Sequence, residues 1–244
     1  MTAELAHPWG TTCRALCLCI AAALLQTAST NAWAQQSTPE NADTQALYRD
    51  PADGGARRWQ VESGAALDLR AAPSSDADAL AAVPEGTVLN NLGCSMNDGA
   101  IWCEVRPFRG GARGFAPAER LAPAVGRGGA VPTGADDSRK RARKREFDVE
   151  GNIRCAQERG QSLDICAAAV ARGVGGDATV VVTFPNGFKR QLFFVHGEFV
   201  AASATMSGVG RDTDWRVEDD THFLRVDDQQ FEISDEFVFG AGSG

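Results

Sequence analysis

Residues 97–105 read Asn-Asp-Gly-Ala-Ile-Trp-Cys-Glu-Val, and this stretch decides the fold of the first half of the chain. An Asn-Asp-Gly run before a short apolar segment with β-branched and aromatic residues is typical of a tight turn that leads into a strand. A Pro-Glu-Gly turn at residues 84–86 leads in the same way into the apolar residues Val88 and Leu89. The segment therefore predicts hairpins rather than helices.

Further short strands surround this hairpin. Residues 59–61 and 67–69 alternate apolar and polar side chains, and residues 114–116 (Gly-Phe-Ala) follow a Gly-Gly turn. Alternation with a period of two is typical of half-buried strands. A sheet of so few short strands would leave exposed edges, and closure into a barrel removes them. We therefore predict a small β-barrel over residues 59–124.

Four segments of this region resemble, in order and spacing, the motifs of bacterial SH3-like (SH3b) domains. Residues 67–74 (LDLRAAPS) resemble the leading LNVRSGPS segment of the family, and residues 83–88 (VPEGTV) resemble its L-x-x-G-x-x-V turn and strand. Residues 101–105 (IWCEV) resemble its W-x-x-V strand, and residues 114–116 (GFA) stand where the family has Gly-Trp-Val. The resemblance covers about a quarter of the chain and implies an SH3-like barrel.

The resemblance also implies a binding module. Family members commonly bind cell-wall peptides or act as targeting modules beside wall hydrolases, so peptidoglycan is the expected ligand class. The matched motif positions are core and turn positions, so no ligand-contacting residue is carried over. Polyproline binding is not implied, because the Tyr-rich groove of the eukaryotic namesakes is not matched and the one Tyr of the chain, Tyr48, falls in the leader.

The N-terminal sequence predicts export. Arg14 precedes an apolar stretch at residues 15–25, and residues 32–34 read Ala-Trp-Ala. A basic flank, a short apolar core and an Ala-x-Ala triplet are typical of a signal peptide. The apolar stretch is about half of the roughly 20 residues that a membrane-spanning helix needs. We predict a signal peptide over residues 1–34, cleavage after Ala34, and a periplasmic or secreted mature protein.

Export changes the interpretation of the cysteines. Three of the seven would leave with the signal peptide, and the other four form two local pairs. In an oxidising compartment this favours disulfides, and of the three connectivities the clustering favours Cys94–Cys103 with Cys155–Cys166. Each would close a loop of roughly ten residues and contribute somewhat under about 3 kcal/mol. Neither pair has the spacing of zinc ligands, so we expect no cofactor.

Residues 147–240 predict a second β-rich domain. Residues 179–184 (Thr-Val-Val-Val-Thr-Phe) are rich in β-branched side chains and precede a Pro-Asn-Gly turn. Later apolar runs are separated by acidic turns at residues 218–220 and 227–228, which indicates a meander of hairpins. Residues 166–171 (Cys-Ala-Ala-Ala-Val-Ala) suit a helix by Ala propensity or a strand by position, and we favour the strand.

This second block resembles a C-terminal domain found in exported SH3-containing proteins of alphaproteobacteria. The resemblance lies in the cysteine pair, the Val-rich strand, the Pro-x-Gly turn and a closing Phe-x-Ile. It implies a location in the cell envelope and no particular activity.

Two connecting segments complete the organisation. Residues 35–58 are polar and predict a flexible leader, and residues 125–146 predict a Gly/Pro-rich linker that ends in a basic run. Such a run favours a solvated linker, electrostatic docking to anionic lipid or wall polymer, or contact with the acidic C-terminal block; all three interpretations stay open. The residues of the run, and the candidates for docking, are Arg139, Lys140, Arg141, Arg143, Lys144 and Arg145.

No catalytic constellation is visible. His196 and His222 are the histidines after residue 34, and they lack the spacing of a metalloprotease motif or a zinc finger. A cysteine held in a disulfide is no nucleophile. Ser207 lacks the Gly-x-Ser-x-Gly elbow. We therefore predict no catalytic, metal-binding or cofactor-binding residue.

The sequence as a whole predicts a mainly β, non-catalytic binding protein of the cell envelope, with peptidoglycan as the leading ligand class. The net charge of −8 opposes nucleic-acid binding, which depends on basic residues that neutralise phosphates. The alternative is a protein-directed adaptor or inhibitor of an envelope enzyme, acting through a sheet edge or aromatic face of the C-terminal block. An enzyme of unrecognised type is the third hypothesis.

Overall fold

The computed structural model describes residues 45–205, 210 and 212–241. The predicted signal peptide, its cleavage site and Ser207 lie outside these residues. All of the described residues fall within one compact unit. No helix in the described part of the chain is long and apolar enough to cross a membrane.

Seven antiparallel strands form the first sheet, hereafter the barrel, in the order β3-β2-β6-β5-β4-β1-β7. Buried Val83 of β3 and Leu121 of β7 belong to the same core cluster as Trp59 and Leu69. Because β3 and β7 lie at opposite ends of the strand order, the sheet must curl for their side chains to share one core. The strands are β1 (Arg58–Val61), β2 (Leu67–Arg70), β3 (Ala79–Val83), β4 (Val88–Asn97), β5 (Ala100–Pro107), β6 (Gly114–Pro117) and β7 (Leu121–Pro123).

The β4–β5 hairpin closes with the predicted turn. Asp98 and Gly99 take positive φ values of 48° and 80° between the paired residues Asn97 and Ala100. Two consecutive residues with positive φ are the signature of a type I′ hairpin turn, which Asp-Gly favours. Lower in the same hairpin, Cys94 and Cys103 face each other in register, with their Cα atoms 3.9 Å apart, and form a disulfide.

The last part of the predicted leader packs against the barrel instead of remaining flexible. The ring of Tyr48 stacks on that of Trp59, with centroids 5.1 Å apart. Ala56 is completely buried, and its amide donates a hydrogen bond to the Leu47 carbonyl at 2.9 Å. The polar average composition of residues 35–58 conceals these few anchoring side chains, which is why the sequence did not predict their packing.

A second sheet contains eight antiparallel strands in the order β12-β11-β10-β9-β8-β15-β14-β13, which confirms the mainly β class. The rings of Phe184, which follows β10, and Phe231 of β15 are 5.8 Å apart, so this sheet also curls around its core. The predicted strand at residues 166–171 lies within β9, and the Cys155–Cys166 disulfide joins β8 to β9. The strands are β8 (Val149–Ala156), β9 (Asp164–Arg172), β10 (Ala178–Thr183), β11 (Lys189–Val195), β12 (Glu198–Ala202), β13 (Thr213–Glu218), β14 (Thr221–Val226) and β15 (Gln229–Ser234).

Two short helices accompany the second sheet, α1 (Ser138–Lys144) and α2 (Asp235–Phe239). Helix α1 contains most of the basic run, for which the sequence leaves a solvated linker, electrostatic docking and contact with the C-terminal block open. Ser138 and Ala142, one turn apart on the same helix face, are buried, and the Ser138 hydroxyl lies 3.0 Å from that of Thr179 on β10. These two small side chains let the helix approach the outer face of the sheet closely, while most of its charged side chains are exposed.

Asp177, directly before β10, connects the barrel to the second sheet. Its side chain is completely buried and accepts hydrogen bonds from Arg57 at 2.6 Å and from Arg58 at 3.2 Å. It also accepts one from the backbone amide of His196 at 2.8 Å. Because Arg58 begins the first strand of the barrel, the two sheets share a buried ionic contact.

Candidate functional site

A cleft of about 730 Å³ lies on one side of the barrel, hereafter the barrel groove. It is bounded by the β2–β3 loop at residues 73–76, the hairpin turn at residues 97–99, Trp102 of β5, and the 3-10 helix Ala118–Arg120. Its volume falls in the range of ligand-binding clefts. It runs between loops that the barrel holds in place, which suits a preformed binding site.

The loops on the two sides of the groove are tied together. The Asn97 side-chain amide donates a hydrogen bond to the Pro73 carbonyl at 2.7 Å, and this links the hairpin turn to the β2–β3 loop. Arg70 donates to the Ala77 carbonyl at 2.8 Å and so holds the far end of that loop. A site whose walls are fixed before binding loses less conformational entropy when the ligand arrives.

Aromatic side chains form part of the groove lining. Trp102 is buried apart from 7% of its surface, Tyr48 is half-buried, and Ile101 lies beside them. Flat aromatic surfaces of this kind pack against aliphatic stems and peptide planes. The sequence placed Tyr48 in the leader and away from any groove. The adjacent apolar pair Leu47-Tyr48 in a polar stretch was the signal that could have found it.

The rim of the barrel groove is acidic. Asp76, Asp98 and Glu119 line it and are exposed, and none of them forms an ion pair with a described residue. No Lys, Arg or His is among the described residues that line it. Three unpaired carboxylates around one cleft create a negative potential that favours a ligand with a cationic group.

The residues of the basic run differ in their contacts, and their docking to an anionic surface stays a prediction. Arg139 lies over the Phe193 ring at 3.9 Å, and Arg141 donates to the Asp148 carboxylate at 2.8 Å and to the Arg172 carbonyl at 2.9 Å. The hydrogen bond that Arg141 donates to Asp148 raises the pKa of Arg141. Lys144 lies 3.8 Å from Glu146. The residues of the run that are exposed and form no ion pair with a described residue are Arg139, Lys140, Arg143 and Arg145.

His222 forms a buried bridge. The Trp215 indole Nε1 donates to His222 Nδ1 at 3.1 Å, which requires the ring proton to sit on Nε2. Nε2 then donates to the Asp235 carboxylate at 3.1 Å. Burial lowers the pKa of His222, against the opposing attraction of Asp235, and nearby Arg127 lowers it further. The ring is therefore a neutral, solvent-shielded link among β13, β14 and α2.

His196 lies at the predicted β11–β12 turn, where it and Gly197 take φ values of 55° and 82°. Burial and the neighbouring charge of Arg58 lower its pKa, while Asp177 opposes the shift. Each of the four cysteines is held in one of the two disulfides, Cys94–Cys103 and Cys155–Cys166. Within the residues that the structure describes, no group of three or more His, Cys, Asp or Glu side chains is arranged to hold a metal ion.

Comparison with known families identifies the barrel. Residues 65–122 match the family model described as the bacterial SH3 domain, and this confirms the predicted SH3-like segment. The match covers less than half of the chain and does not include the second sheet, whose resemblance to other exported proteins stays a prediction. The chain matches no curated protein and no solved structure.

Proposed function

We propose that this protein is a non-catalytic binding protein of the bacterial cell envelope, and that its barrel groove recognises a cell-wall peptide through an ammonium group. At the level of the family, a bacterial SH3 domain suggests a cell-wall or peptidoglycan-binding module. The observation that carries the proposal is the groove itself, with aromatic lining residues and a rim of unpaired carboxylates.

The chemistry of the groove suits a diamino-acid side chain of a wall peptide. The ammonium group would lie among Asp76, Asp98 and Glu119, while its aliphatic stem would pack on Tyr48 and Trp102. Exposed charge pairs contribute only about 0.2–1 kcal/mol each, so one groove would bind weakly and in a salt-dependent way. A polymer that repeats the ligand compensates for weak single sites, because a released segment is quickly replaced by its neighbour.

The two disulfides agree with this location. Bonded cysteine pairs persist in oxidising compartments, and with the bacterial SH3 segment they fit a protein that acts outside the cytoplasm. We propose that the predicted signal peptide directs this export.

The proposal is tested by retention of the mature chain on purified peptidoglycan sacculi. The groove variant replaces three carboxylates: Asp76→Asn, Asp98→Asn and Glu119→Gln. Asn tolerates the positive φ at position 98, so the hairpin turn is preserved. The matched control removes the same charge from exposed carboxylates that do not line the groove, with Asp53→Asn, Glu62→Gln and Asp78→Asn.

We expect the groove variant to lose most of its retention and the control to keep it. Acetylation of the free amines of the sacculi should reduce retention of the wild-type protein to the level of the groove variant. Equal retention of all three proteins, or no effect of acetylation, would refute recognition of an ammonium group. Soluble wall fragments released by the wild-type protein would refute its non-catalytic nature.

A further inference from the structure

A second cleft, of about 680 Å³, lies on the outer face of the second sheet beside the C-terminal end of α1. We call it the sheet groove. Its floor includes Ala167 and Ala169 of β9 and Val181 and Thr183 of β10, and the end of α1 with Phe147 forms one wall. The proposed wall-binding function does not involve this face.

The cleft exists because the outward side chains of β9 are short. Along this strand Cys166, Ala168 and Val170 point into the core and are buried, so the alternate residues Ala167 and Ala169 face outward. Their methyl groups leave the sheet surface low next to the raised end of the helix. A floor of this kind allows a polypeptide backbone to approach the sheet closely.

The charge of the sheet groove is opposite to that of the whole chain. Arg143, Arg145 and Lys189 line it and are exposed, and none forms an ion pair with a described residue. Glu150 is the one carboxylate among the described lining residues. Arg141 on the same helix is, by contrast, paired with Asp148. The cleft is therefore locally basic in a chain of net charge −8.

We propose that the sheet groove binds an extended, acidic peptide segment of a partner protein. The acidic side chains would pair with the cations at the edges, and the peptide backbone would lie on the Ala and Val floor. Thr183 and Gln191 also line the groove, and their side chains make no hydrogen bond to a described residue. An acyl chain would remove water from these groups without replacing it, whereas a peptide backbone supplies both donors and acceptors.

The test uses the full mature chain and a labelled peptide of four Glu-Ala repeats, with Lys-Ala and Gln-Ala repeats as comparators, in fluorescence anisotropy at low salt. The sheet-groove variant is Arg143→Gln with Lys189→Gln. The control is Lys140→Gln with Lys144→Gln, which removes the same charge beside the groove. Two exposed ion pairs predict that the sheet-groove variant weakens binding of the acidic peptide about fivefold. The control should change it less than twofold.

A second variant tests the floor without relying on the cations. Ala167→Glu places a carboxylate at an exposed strand position, so the fold should tolerate it, and we expect the acidic peptide to lose measurable binding. Ala167→Ser, which adds a small polar group without charge, should bind as the wild type does. Circular dichroism of both proteins shows whether the fold is retained.

Three results would overturn the proposal. The acidic and neutral peptides could bind equally, which would show that acidic side chains are not recognised. The sheet-groove and control variants could lose affinity equally, which would show that only the overall charge of the protein matters. Alternatively, phosphatidylglycerol vesicles could bind the wild-type protein and lose binding in the sheet-groove variant, while the acidic peptide does not bind. The cleft would then be a lipid site. Sacculus retention should not change in the sheet-groove variant, Arg143→Gln with Lys189→Gln, so failure of this proposal is distinct from failure of wall binding.

Discussion

Replacement of Asp177 by Asn should destabilise the protein more than almost any other change of similar size. The side chain keeps its shape but loses its charge, while Arg57 and Arg58 remain beside it. Arg58 is only 7% exposed, and its Nε and Nη1 atoms make no hydrogen bond within the described residues. Burial already lowers the pKa of Arg58, and Asp177 is the main group that opposes this shift.

The size of the effect follows from these contacts. Loss of one partner from a buried ion pair typically costs about 3–5 kcal/mol, because the other charge stays buried and uncompensated. Arg57 reduces the free-energy cost, because it keeps hydrogen bonds to the Gly134 carbonyl at 2.7 Å and to the Ala135 carbonyl at 3.1 Å. We therefore expect about 3 kcal/mol, which for a domain of this size lowers the melting temperature by roughly 6–12 °C.

Equilibrium urea unfolding of the wild type and of Asp177→Asn measures this free energy. Arg58→Met removes the buried cation, so the double variant should recover part of the loss, with a coupling energy of about 1.5–3 kcal/mol. The control is Asp228→Asn, which breaks an exposed ion pair with Arg159 and should cost less than about 0.5 kcal/mol. A cost below about 1 kcal/mol for Asp177→Asn, or full additivity with Arg58→Met, would show that the buried contact does not hold the two sheets together.

Three further predictions concern stability and binding. The double change Cys94→Ala with Cys103→Ala should lower the free energy of unfolding by about 2–3 kcal/mol in urea titrations, because it releases the loop that the bond closes in the unfolded chain. Burial lowers the pKa of His222 below its ordinary value of about 6.5. As the pH falls below about 6.5, His222 therefore binds a proton in the unfolded chain before it does so in the folded chain. Stability should therefore decrease from about pH 6.5 down to the lowered pKa, and His222→Gln should reduce this slope in urea titrations at a series of pH values. Tyr48→Ala should reduce both stability, by about 1–2 kcal/mol, and retention on sacculi, while Tyr48→Phe should preserve the stacking on Trp59 and the stability.

Local chemistry explains what the sequence could predict. The Asp98-Gly99 turn depends on the backbone preferences of the two residues that form it, and these are visible without knowing the rest of the fold. The pairing of Cys94 with Cys103 depends on nine residues of separation and on that same turn. The strand at residues 166–171 was favoured over a helix by its position before a glycine, and its alternating burial in β9 confirms it.

Contacts between distant residues explain what the sequence could not predict. Asp177 lies 119 residues from Arg58, and nothing near either residue indicates that one compensates the other. The carboxylates of the barrel groove come from three separate loops and meet only after the sheet has curled. In the basic run, the number of charges concealed the spacing of Ser138 and Ala142, although that spacing decides how the helix docks on the sheet.

The placement of charge separates what holds the protein together from what it binds. The ionic contact between the two sheets is buried at Asp177, where salt screens it little. The carboxylates of the barrel groove and the cations of the sheet groove are exposed, so ions screen their attraction to a ligand strongly. Ionic strength should therefore weaken the proposed binding at both grooves and leave the contact between the sheets almost unchanged. Because the two grooves carry opposite charges, a ligand that suits one would be repelled by the other, so the two proposed ligands, a cationic wall peptide and an acidic protein segment, would not compete.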